Sequence, residues 1–157
     1  MPVGRAFRIV KGSSYLLLML VLIAVVQIVA TLIDFEYNRI LETTFVDETA
    51  RTVVIGRVYA TASAGTLIFH LLTGPILRLL AIPLTLLAVP LILAGGHIGY
   101  LIVGSFMVVA ALKVANKTFD YTLFRSSKEM LYIPLPYVQK TAGKAVVDML
   151  TYRLAKG

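Results

Sequence analysis

The stretch "SYLLLMLVLIAVVQIVATLI", Ser14–Ile33, holds one strongly polar side chain, Gln27, in twenty residues. A helix rises 1.5 Å per residue, so about 20 apolar residues cross a hydrocarbon core of roughly 30 Å. A cleaved signal has an apolar region of about 7–15 residues followed by a small-residue cleavage site. This run is longer and no such site follows, so Arg5, Arg8 and Lys11 read as the basic flank of a retained span.

Three more apolar runs follow, at about 53–72, 76–94 and 96–115. With 59% hydrophobic and only 15% charged residues, the chain lacks the polar surface of a soluble domain, where charged residues make up about 25%. The expected class is an all-α integral membrane protein with four transmembrane helices. Its organisation would be a basic segment 1–13, a membrane region 14–115 and a basic segment 116–157. Turns of a few residues at Thr73–Pro75 and Gly95 would make neighbouring spans antiparallel.

Loop charge gives an orientation. The N-terminus carries three cations and no acid, whereas 34–52 holds Asp34, Glu36, Glu42, Asp47 and Glu48 against Arg39 and Arg51. Arg78 stands alone in its turn, and from Lys113 onward eight Lys or Arg face three acids. Cations collect on the cytoplasmic side, which predicts that both termini are cytoplasmic. The net charge of +7 is therefore read as membrane orientation, and nucleic acid is not expected as a partner. With no cysteine, thiolate metal sites and disulfides are excluded.

Within the spans, Gly56, Ala60 and Ala64 form a small-residue stripe suited to close helix contact. Pro83 and Pro90 would kink the third span. Gln27, Arg57 and His70 are the intramembrane polar residues; they can hydrogen-bond between helices or snorkel, or contribute to a polar path. After Pro136, an amphipathic surface helix is expected over about 137–155. Lys140, Lys144, Asp148, Tyr152 and Lys156 form its polar stripe, with Val138, Ala142, Val146, Met149 and Leu150 on another face.

Enzyme signatures fail on inspection. "QKTAGKAV" has Val138 where a phosphate loop needs its first glycine, and Ala145 where it needs Ser or Thr. His70 and His97 have no companion ligands, so no metal is expected. Neither a cofactor nor an enzyme activity is expected.

The segment "FDYTLFRSSKEMLYIPLP", Phe119–Pro136, crowds charges, aromatics and prolines beside the last apolar run. Together with "KTAGKAVVDMLTYRLAKG" it resembles the bacterial and plastid ATP/ADP translocase family. Tyr121, Leu123, Phe124, Lys128, Glu129, Met130, Tyr132, Ile133, Pro134 and Leu135 match one family segment. Gly143, Lys144, Ala145, Asp148, Arg153, Leu154 and Lys156 match the next. "LIDFEYNRILETTF" is similar, more weakly, to the family's seventh span. The resemblance implies spans seven to ten of a twelve-span, major-facilitator-like carrier, and with it ATP binding and nucleotide exchange by alternating access. Asp34, Asn38, Lys117, Asp120, Arg125, Lys128 and Glu129 become candidate path or gate residues.

There are departures. Asp34 and Asn38 stand where nucleotide exchangers have Glu and Lys, Asp120 stands where they have Lys, and Arg125–Ser126 replaces Asp-Pro. Lost cations weaken the hold on a polyanion. The implied partners are the bilayer, ATP, ADP or another nucleotide, and either the remaining helices of a longer transporter or further copies of this chain. A piece of such a transporter in a bacterial inner membrane is expected. The alternative is a complete four-helix membrane protein that works as an oligomer or a partner-binding subunit.

Overall fold

The computed structural model describes the backbone of residues 3–156, with side chains for 4–147 and Met149. Among the described residues every regular element is helical. These are α1 (Val3–Lys11), α2 (Ser14–Thr44), α3 (Glu48–Leu79), α4 (Ile82–Val103), α5 (Phe106–Phe119), a π-helical turn (Asp120–Phe124), α6 (Arg125–Leu131) and α7 (Tyr137–Lys156). By length and composition α2, α3 and α4 can each cross a membrane. Many of their large apolar side chains point outward, among them Leu18, Ile28, Leu67, Leu71 and Leu91. In a bilayer such faces meet lipid or other helices. The chain is an integral membrane protein.

The fourth expected span, 96–115, is not one helix: 96–103 end α4 and 106–115 begin α5, which runs on through the π turn into α6, and the turns also differ from the expected ones. Residues 73–75 lie inside α3, with Pro75 within the helix, and the chain turns instead at Leu80–Ala81. Pro83 then starts α4, where its missing N–H costs nothing. Gly95 and Gly96 are also helical. The break falls at Gly104, whose φ of 63° caps α4, and at Ser105, whose hydroxyl accepts from the Met107 N–H at 3.3 Å to start α5. Gly96 serves a close approach instead of a turn, because an added Cβ would overlap Leu112 Cδ2.

The chain forms two compact units, Leu32–Lys128 and Met1–Thr31 with Glu129–Gly157. The larger packs the second half of α2 with α3, α4 and α5. Tyr37 and Leu41 of α2 meet Val109 and Ala110 of α5, walled by Val54, Ile55 and Val58 of α3. Asp47 caps α3 by accepting from the Ala50 N–H at 2.7 Å.

In the smaller unit the basic N-terminal segment is itself an amphipathic helix. Ala6 and Val10 of α1 are buried with Leu16, Ala142 and Val146, while Arg5, Arg8 and Lys11 stay exposed. The seam of α7 is Ala142, Gly143, Val146 and Val147; Val138, expected on the apolar face, is exposed. Asp148, Leu150, Tyr152 and Lys156 of the expected pattern lie outside the described side chains. Gly143 lets α7 approach α2, since a Cβ there would lie 2.8 Å from Leu16 Cδ2 and 3.4 Å from Tyr132 Cε1.

Candidate functional site: a charged cleft between helices

The larger unit buries an ammonium group. Lys113 of α5 is 3% exposed, and its Nζ donates to Asp34 Oδ1 of α2 at 2.6 Å. The same Nζ lies 5.3 Å from the Tyr37 ring centroid and 5.9 Å from that of Tyr59. A cation over two aromatic faces gains electrostatic energy that grows as water is removed. Lys117, one turn on, is 3.9 Å from Asp34 Oδ2 and is only loosely held. Asp120, which opens the π turn, feels Lys117, Lys128 and Arg125 as cations and Asp34 as an anion.

Beside this cluster is a cleft of about 630 Å³. Tyr59, Ala62, Ser63 and Thr66 form its α3 wall at helical spacing, and Lys117 and Tyr121 form the other. A ligand pocket is typically about 300–1,000 Å³. The walls are held close at one point: Thr118 Oγ1 lies 3.4 Å from the Ala62 carbonyl, and a Cβ on Gly65 would meet that hydroxyl at 2.9 Å. Thr66 spends its hydroxyl on the Ala62 carbonyl at 2.8 Å. The Tyr37 hydroxyl, in a residue 2% exposed, has no hydrogen-bond partner.

Asp34 lies ten residues before the end of α2, and Tyr59 and Lys117 lie eleven residues after the starts of α3 and α5. At 1.5 Å per residue each is about 15–16 Å from that end of its helix. Ionisable groups on membrane-crossing helices are expensive and often mark functional paths. The π turn beside them widens a helix locally, a distortion found mostly at functional sites.

Of the residues singled out from sequence, Asp34, Lys117 and Asp120 come together here. Asn38, one turn from Asp34, is exposed. Arg125 is exposed, and both it and Lys128 act on Asp120 electrostatically. Glu129 belongs to the smaller unit, where Lys144 Nζ is 2.7 Å from its Oε2 and 5.8 Å from the Tyr132 ring centroid. Gln27 is half-buried; Arg57 and His70 are exposed. Gly56, Ala60 and Ala64 are also exposed, and the close approach of α3 to α5 runs through Ala62 and Gly65 instead. Sequence reasoning missed Lys113, Tyr59 and Tyr121 as site residues. The i, i+4, i+8 spacing of Lys113, Lys117 and Tyr121 was the available signal.

Residues 97–157 match the family described as TLC ATP/ADP transporter. ADP,ATP carrier protein 4 of Rickettsia bellii (strain RML369-C) is 26% identical over a 177-residue alignment, which covers 99% of this chain and 34% of the carrier. The similarity to the TLC ATP/ADP transporters by family model lies in the second part of the chain, residues 97–157. ADP,ATP carrier protein 1 of Chlamydia trachomatis serovar D is 24% identical over the same coverage of both. ADP,ATP carrier protein 1 of Chlamydia pneumoniae is 45% identical over 51 residues, 32% of this chain and 10% of the carrier. The chain thus spans about a third of the length of the curated relatives it matches. No solved structure matches it.

Proposed function

We propose that this chain is part of a membrane transporter that exchanges nucleotides by alternating access, and that Asp34, Lys113 and Lys117 belong to its substrate path. The observation that carries this reading is the meeting of charge and space. Three ionisable side chains from two helices, α2 and α5, lie beside a cleft between α3 and α5, and secondary transporters build substrate sites from polar groups between such helices. The relatives' names, ADP,ATP carrier proteins, supply the substrate class. Lys117 also answers the departure at Asp120, because it brings a cation to the cleft one turn earlier.

Orientation follows from the charges: both termini face the cytoplasm, in a bacterial inner membrane, with the turns 45–47 and 104–105 outside. The exposed stripe Gly56, Ala60 and Ala64 is available to further helices of the transporter or to another copy of the chain. Asn38, Arg125, Lys128 and Glu129 remain proposed as gate residues, acting by ion pairs that change between access states.

The test is counter-exchange. Proteoliposomes of the native gene product carrying this chain, loaded with ADP, should take up labelled ATP, and Lys117→Gln should slow uptake at least ten-fold. Equal uptake by protein-free vesicles would sink the proposal.

A further inference from the structure

Tyr59 and Tyr121 line the cleft with rings that are 47% and 50% exposed, facing each other's helices across space for a ligand. Tyr59 is eleven residues into α3 and shares the cleft with Lys117, so its ring borders a space that a ligand can fill. The buried Lys113 ammonium lies 5.9 Å from the Tyr59 ring centroid. Lys117 shares the cleft with both rings; it interacts with Asp120 and makes a 3.9 Å approach to Asp34, whose other oxygen is taken by Lys113. Ser63 adds a hydroxyl on the α3 wall.

Two partly free phenol faces, one loosely held ammonium and a hydroxyl around about 630 Å³ suit one kind of ligand: a flat aromatic ring joined to an anionic group. Building on the nucleotide reading above, we propose that Tyr59 and Tyr121 receive the nucleobase by stacking and that Lys117 receives a phosphate, exchanging its weak contact with Asp34 for it. Stacking tolerates any base because every base has a π face, so this site sorts nucleotides from simple phosphates instead of one base from another. Asp34 keeps Lys113 neutralised, which leaves Lys117 as the cation that moves.

The experiment is competition binding with the full chain in nanodiscs, using labelled ADP and three competitors: unlabelled ADP, inorganic pyrophosphate and adenosine. The expected result is that Tyr59→Ala and Tyr121→Ala each weaken ADP about five- to a hundred-fold and leave pyrophosphate unchanged. Tyr59→Phe and Tyr121→Phe, which keep the ring, should bind ADP as the parent does. Lys117→Gln should weaken ADP and pyrophosphate together and spare adenosine. If the parent binds ADP and the alanine variants bind it equally well, the stacking site is overturned while the nucleotide reading stands. An unchanged ADP-to-pyrophosphate preference in variants that lose both ligands alike overturns it too. If the parent binds no ADP, both readings fall.

Discussion

Removing Asp34 strands the Lys113 ammonium, 3% exposed, among Tyr37, Tyr59 and the α5 backbone. Breaking a buried ion pair from one side costs about 3–5 kcal/mol. The Asp34 side chain is 37% exposed, so water offsets part of that, and the cation–π contacts remain. Asp34→Asn should therefore destabilise the chain by about 2–3 kcal/mol, on the order of fifty-fold in the folded-to-unfolded ratio. Lys113→Met leaves Asp34 beside Lys117 and water, and should cost about 1–2 kcal/mol. The double variant removes both charges together, so its loss should fall short of the sum by at least about 1 kcal/mol. Denaturant titration in mild detergent, followed by circular dichroism, measures all three. A loss under about 0.5 kcal/mol for Asp34→Asn, or additivity within about 0.5 kcal/mol, would refute the buried pair.

Gly96→Ala should destabilise by about 1–3 kcal/mol despite alanine's better helix propensity, because its Cβ overlaps Leu112; Gly99→Ala, with open space around it, should be neutral or stabilising in the same titration. Glu129→Gln should shift stability by less than about 1 kcal/mol, since the pair with Lys144 is solvent-exposed, and a larger loss would show that the pair is better shielded than its 40% and 49% exposures indicate. The chain has no cysteine, so single cysteines report sidedness directly: Gly12→Cys and Thr44→Cys should label from opposite faces of right-side-out vesicles, and labelling from one face would refute the orientation.

The class was legible because apolar runs of twenty residues have few uses outside a bilayer, and Ser14–Ile33 begins α2 at Ser14. The turns were not. Between Ile76 and Leu112 the one charged residue is Arg78, while Pro83, Pro90, Gly95, Gly96, Gly99 and Gly104 all offer punctuation. Which of them breaks the helix depends on three-dimensional contacts: Gly96 is needed against Leu112, whereas Gly104 is free to take a positive φ. In the candidate site, Asp34, Lys117 and Asp120 stood out through the family resemblance. Lys113 was read as the end of a span, although its partner lies 79 positions away in sequence. Tyr59 and Tyr121 carry no charge, and only the fold reveals that they share a cleft. The motif around Gly143 gains a packing reason, since Gly143 admits Leu16 and Tyr132 and Lys144 meets Glu129.

Ser63→Cys tests the central claim most directly, because Ser63 lines the cleft in a chain with no other thiol. A membrane-impermeant, water-requiring thiol reagent should label it in proteoliposomes of the native gene product, and ADP or ATP should slow that labelling at least several-fold. A cysteine that stays unlabelled, or labels at the same rate with and without nucleotide, contradicts a water-accessible nucleotide path through this cleft.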